Sequence, residues 1–150
     1  MLEFDSPHRL HEAVGQRLGA SGWRQLTQSR IDQFAAVTGD RQWIHTDPVR
    51  AAAGPYGTTV AHGFLTLALI VPMLDEVFRV RADLVVNKGL DRVRFTAPVP
   101  TDSWIRVAAT LKSASARPRG YTEAVIAVAV DLRGHPHPAC TADWRILLQA

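Results

Sequence analysis

Two short runs concentrate the residues able to do chemistry. The first, Thr38-Gly39-Asp40-Arg41-Gln42-Trp43-Ile44-His45-Thr46-Asp47-Pro48, sets a carboxylate and an imidazole, Asp40 and His45, five residues apart on a polar loop. Loop backbone can bring both side chains onto one small volume. A water held there can be oriented, deprotonated and later reprotonated, which is general acid–base chemistry. The same residues also read as a helix-ending aspartate, a hydrogen-bonded loop histidine and an Asx turn at Asp47. The second run, Pro55-Tyr56-Gly57-Thr58-Thr59-Val60-Ala61-His62-Gly63-Phe64, leads straight into the most apolar stretch of the chain. Glycine in the first turn of a helix leaves backbone N–H groups open to an anionic oxygen, the arrangement of an oxyanion hole for a thioester carbonyl. It equally lets a helix lie close to a sheet, with His62 capping or bonding locally.

Other chemical groups are weaker candidates. His135 and His137 flank Pro136 in a hairpin pattern with no third ligand nearby, so no metal site is expected. Cys140 falls within a strand pattern and reads as a small core residue; as the one cysteine it forms no internal disulfide, and a reducing, cytoplasmic setting is expected. There is no phosphate-cradling glycine loop and no serine elbow.

Several elements must position these runs. Leu10, Ala13, Val14 and Leu18 are spaced for a helix over His8–Leu18, stopped by Gly19 and Gly22, with a short strand at Trp23–Leu26. Thr27 or Ser29 can cap a second helix through Ile31, Phe34, Ala35 and Val37, ended by Gly39. Pro48 suits the first turn of a short helix through Arg50–Ala53, and a long apolar helix follows from about His62 to Phe78. Its most apolar part, Val60–Leu74, is 15 residues; at about 1.5 Å per residue it reaches only about 22 Å, short of a bilayer core. From about Asp83 the pattern turns to strands. Ile105, Val107, Ala109 and Leu111 share one face, Tyr121–Leu132 is apolar on both faces, and Ala139–Leu148 closes the chain. Helices followed by meandering strands predict an α+β fold in which a sheet covers one long helix.

With 150 residues, 47% hydrophobic and 21% charged, the chain has the balance of one globular domain. Its net charge of +3 comes from scattered arginines, Lys88 and Lys112 being the only lysines. No basic stripe or nucleic-acid motif accompanies it, which argues against DNA or RNA as partner. Glu3 and Asp5 fall where a signal peptide wants positive charge, so no targeting segment is expected.

Together with Asn87-Lys88-Gly89-Leu90-Asp91-Arg92-Val93-Arg94-Phe95 and Ala97-Pro98-Val99-Pro100, the two runs resemble the MaoC-like dehydratases, which include the (R)-specific enoyl-CoA hydratases and nodulation-protein-N-like chains. The resemblance extends from about residue 23 to 148, with three separated motifs in the family's order. It departs at Gln42-Trp43, where many members have Asn-Pro, and at Val71, where some have a serine.

The resemblance implies a hot-dog fold, an antiparallel sheet wrapped around the long central helix. One domain would span 1–150 with an N-terminal helical extension over about 1–22, normally paired as a homodimer. It implies reversible hydration of trans-2-enoyl-CoA to (R)-3-hydroxyacyl-CoA in fatty-acid metabolism, with no metal or redox cofactor. In this reading Asp40 and His45 hold and activate water and the Gly63 N–H binds the thioester oxygen. Trp43, Tyr56, His62 and Phe64 are candidate substrate-binding residues, Trp43, Tyr56 and Phe64 reading as tunnel lining or equally as core, and Lys88 and Arg92 are candidates for the CoA phosphates. The competing implications are a dehydratase of acyl-carrier-protein thioesters and a non-catalytic thioester-binding subunit.

Overall fold

The computed structural model describes residues 1–150. The N-terminal part contains β1 (Leu2–Phe4), a 3-10 segment (Pro7–Ala13), β2 (Arg17–Ala20) and β3 (Arg24–Leu26). Five helices follow: α1 (Gln28–Thr38), α2 (Trp43–Thr46), α3 (Pro48–Ala52), α4 (Gly63–Ala68) and α5 (Ile70–Leu74). The rest is β4 (Phe78–Val80), β5 (Leu84–Phe95), β6 (Ser103–Ala116), β7 (Tyr121–Leu132) and β8 (Cys140–Gln149), with a 3-10 turn at Pro118–Gly120.

The main sheet runs β2-β6-β7-β8-β5, with β3 also paired to β6, and every pair in it is antiparallel. Its inner face is what the period-two pattern demands: Ile105, Val107, Ala109 and Leu111 are at most 2% exposed and join Ile126, Val128 and Ile146 in one core. Leu65, Leu69, Ile70, Met73 and Leu74 supply the helical side of that core, each full burial contributing roughly 1.5–3 kcal/mol. A sheet therefore covers a central helical element, as expected.

Two expectations need correction. The central helix is not continuous over His62–Phe78; it breaks between α4 and α5 at Leu69 and ends at Leu74. Pro72 has no N–H for the Ala68 carbonyl and its ring crowds that turn, which accounts for the break. The helix expected over His8–Leu18 is a 3-10 segment followed by β2. Leu10 and Ala13 are buried as that spacing requires, but Leu18 belongs to β2, where Gly19 and Ala20 register with Ala109 and Ala108 along β6. Pairing an otherwise open sheet edge outweighs the local helical spacing. The parallel pair β1–β4, joining Leu2–Phe4 to Phe78–Val80, had no sequence signal.

On the outer face of β7, opposite Ala124, Glu123 is buried beneath three cations: Lys88, Arg117 at 3.0 Å and Arg145 at 2.7 Å. Hydrogen bonds from Lys88 and Arg117 hold its carboxyl down at about 2, against the burial that would raise it, with Arg145 adding to the effect. A carboxylate with a depressed folded pKa stabilises the fold at neutral pH. That contribution disappears as pH falls from the ordinary 4.5 towards 2. Glu123→Gln is therefore expected to melt below wild type at pH 7, with the gap in Tm closing as pH is lowered across this window. A gap independent of pH would contradict the assignment.

Candidate active site

The Asp40 loop begins where α1 is made to stop. Thr27 caps α1 at its start, and Gly39 ends it in the left-handed region (φ 81°), its N–H bonded to the Ala35 carbonyl at 2.9 Å. Thr38 Oγ1 donates to the Phe34 carbonyl at 2.7 Å and accepts from the Asp40 N–H at 3.3 Å. Asp40 is thus exposed, directly after a rigid helix end.

His45 sits on the single turn of α2 and is 7% exposed. Its Nδ1 lies 2.7 Å from the Val60 carbonyl, and because a carbonyl only accepts, Nδ1 carries the proton. That leaves Nε2 with its lone pair, ready to take a proton. Burial lowers the pKa of the imidazole; the Val60 hydrogen bond opposes this, His62 lowers it further and Asp40 raises it, the net shift being downward. His45 is consequently neutral and basic at pH 7.

The segment carrying Val60 is held extended between two neighbours: Val60 N–H donates to the Ile44 carbonyl at 2.9 Å and Ala61 N–H to the Val99 carbonyl at 2.8 Å. Gln28, a residue with no sequence signal, ties these pieces together. Its amide donates to the His45 carbonyl at 2.7 Å and to Asp32 at 2.9 Å, and its oxygen accepts from the buried Thr59 hydroxyl.

Polar ligand atoms of Asp40, His45 and His62 all lie within 4.8 Å of one another. Beside them a cavity of about 320 Å³ is lined by His45, Tyr56, Gly63, Phe95, Thr66 and Val99, among others. Gly63 opens α4, and its N–H has no acceptor within the protein. A Cβ there would stand 3.1 Å from the Phe95 ring, so glycine also allows that ring to close over the turn. Phe64 is 70% exposed and meets Phe95 edge-on, with ring centroids 6.2 Å apart.

The candidate substrate residues divide. Tyr56 lines the cavity, and Phe64 borders it through Phe95. Trp43 packs instead on the bend at Gly54, where a Cβ would meet its ring at 2.9 Å, and beneath the Arg50 guanidinium at 4.5 Å. His62 is 2% exposed and stacks on His45 rather than facing the cavity. Lys88 and Arg92 lie away from the cavity, on the outer face of the sheet, paired with Glu123 and Asp143. A larger hollow of about 630 Å³ on that face has a floor of small residues such as Ala108, Ala127 and Ala129 and brings together no acid–base pair like Asp40 and His45. Cys140 is buried, and burial pushes its thiol up to about 11, as suits a core residue.

No helix is long and apolar enough to cross a membrane. The MaoC like domain matches residues 9–130. The chain is 43% identical over 144 residues to the 3-hydroxyacyl-thioester dehydratase Z of Mycobacterium tuberculosis, covering 95% of each chain. It is 40% identical over 139 residues to nodulation protein N of Rhizobium leguminosarum bv. viciae, covering 91% of this chain and 86% of that one. In structure it is similar to the monoamine oxidase regulatory protein from Archaeoglobus fulgius, with a TM-score of 0.83 at 20% identity over 100% and 99% of the two chains. The wrapped antiparallel sheet is the hot-dog fold, and with a domain match over most of its length the chain belongs to the MaoC-like dehydratase family.

Proposed function

We propose that this chain, a hydro-lyase, is an (R)-specific enoyl-CoA hydratase that adds water reversibly to a trans-2-enoyl thioester, giving the (R)-3-hydroxyacyl thioester. One observation carries the reading: His45 and Gly63, whose N–H has no acceptor within the protein, line the same 320 Å³ cavity, and Asp40 approaches His45 within 4.8 Å. In the hydration direction, Asp40 and His45 hold the water and His45 Nε2 takes its proton as oxygen bonds to Cβ. The π electrons of the double bond move toward the thioester, and the enolate oxygen is met by the Gly63 N–H. The same dyad returns a proton to Cα, so one water is consumed and no electrons are gained or lost. The reaction in this reading uses no metal, because His45 Nε2 takes the proton of the water and a backbone N–H meets the enolate oxygen. The free, buried Cys140 fits a reducing cytoplasm.

The long strand β5 is an edge of the sheet and exposes Leu84, Val85, Val86 and Leu90, which supports pairing with a second copy along that edge. A single experiment tests both parts. The protein, with its mass in solution measured by light scattering, is assayed for loss of enoyl-thioester absorbance on crotonyl-CoA and longer enoyl-CoA substrates, then on carrier-protein thioesters. Turnover of CoA esters by a species of twice the chain mass is expected. Activity on carrier-protein thioesters alone replaces CoA as the substrate, and activity on neither supports a non-catalytic thioester-binding subunit.

A further inference from the structure

His62 is the one buried titratable side chain at the site without a part in that reaction. Its ring is 2% exposed and lies between two others: His45, with centroids 3.8 Å apart and planes inclined by 25°, and Phe34, with centroids 4.9 Å apart. Its Nε2 is 2.9 Å from the backbone carbonyl of Asp40, 22 residues away, so Nε2 carries the proton and donates it. Nδ1, bearing the lone pair, is buried with no partner. A buried, unsatisfied acceptor is a cost that an apolar ring of the same shape would avoid. Packing alone therefore does not account for an imidazole here, whereas the Nε2–H bond to Asp40 does.

We propose that His62 is a positioning residue, holding the Asp40 loop by its backbone carbonyl while bracing the face of the His45 ring. This rests on the reading of Asp40 and His45 as the acid–base pair. Asp40 is exposed and follows a glycine, and its carboxylate has only a long bond of its own, from the Gln42 N–H at 3.5 Å, so its place rests mainly on backbone anchors. Thr38 Oγ1 holds its N–H and His62 holds its carbonyl. With both anchors the carboxylate is carried at a fixed distance from His45. With one it moves, and a displacement of about 1 Å costs about 100-fold in rate. The stack sets the second half of the role. The ionisable groups facing His45 are His62 and Asp40, and the His62 ring disfavours a proton on its neighbour while Asp40 favours one.

The test uses His62→Phe, which keeps a stacking ring without the donor, and His62→Gln, whose side-chain amide reaches the Nε2 position without the ring. Steady-state hydration is measured with an NMR titration of His45, its signal identified by its loss in His45→Gln. His62→Phe is expected to lower kcat by about 10- to 100-fold with little change in KM. His62→Gln is expected to recover most of that loss and to move the His45 titration to higher pH. A raised KM with unchanged kcat would make His62 a substrate contact and overturn the proposal, as would a glutamine variant as impaired as phenylalanine or an unmoved His45 titration. Should His62→Phe fail to fold, His62→Gln and the titration decide. The titration needs no turnover, so a wild-type protein inactive on every thioester removes the proposed reaction while leaving the bracing of His45 separately readable.

Discussion

Hydration by His45→Gln is expected to fall about 10²- to 10⁴-fold in kcat, the range of a general base lost from a transition state, with KM little changed. Glutamine is close in size to the imidazole, and although its amide sits at the level of Nε2 rather than of Nδ1, the backbone of α2 stays tied through the His45 carbonyl to Gln28 and through the Ile44 carbonyl to the Val60 N–H. What disappears is the Nε2 lone pair. Asp40→Asn should fall by about 10²-fold or more, because its exposed amide replaces a carboxylate without removing a core contact. The pH dependence follows from the sign of the His45 shift. Burial is the largest cause and disfavours the imidazolium, so the basic form persists on the acid side of the usual histidine range. The acid limb of kcat/KM in the wild type is accordingly expected below that range, with activity lost as pH falls through it. Stopped assays across the acid range on both variants and the wild type check this. Full activity in both variants would remove the dyad, and an acid limb above the usual histidine range would remove His45 as the titrating base.

Residues whose surroundings are local in sequence announced themselves. Thr27 and Gly39 cap and stop α1 as their types require, and the alternation of Ile105, Val107, Ala109 and Leu111 appears as one buried face. The approach of Asp40 to His45 was legible for the same reason, since only a helix end and one turn separate them. Residues whose surroundings are distant did not. Lys88 and Arg92 look like free cations until Glu123 and Asp143, 35 and 51 residues away, arrive beneath them. Gln28 reads as an ordinary first-turn residue, yet it bonds to His45 17 residues on and to Thr59 31 residues on. His62 reads as a pocket residue because it adjoins Gly63, although its main partner is the Asp40 carbonyl. Pro72 is the exception, a break in α4–α5 that the sequence did show and that the strong apolar periodicity around it obscured.

Gly63 has two explanations, and one pair of substitutions separates them. As a donor, it is a cavity-lining residue whose N–H has no acceptor within the protein; as a spacer, it makes room for the Phe95 ring 3.1 Å from where a Cβ would be. Gly63→Ala adds that Cβ and keeps the N–H. The half-exposed Phe95 ring can shift by a few tenths of an ångström, so a modest loss is expected. Gly63→Pro adds the Cβ and removes the N–H. The backbone suits it, because Gly63 is the first residue of α4, where proline is tolerated, and His62 at φ −59° and ψ 137° already has the conformation that precedes proline. Circular dichroism and melting should therefore find Gly63→Pro folded. Its kcat for enoyl-CoA hydration is expected about 10²- to 10³-fold below that of Gly63→Ala, the cost of losing one oxyanion donor, with KM little changed. The comparison between the two variants, rather than either against wild type, cancels the Cβ intrusion on Phe95 and leaves the N–H and the proline ring carbons that replace it as the difference. Equal kcat in the two folded variants would mean that the amide does not meet the thioester oxygen, and the glycine would then be explained by the approach of Phe95 alone.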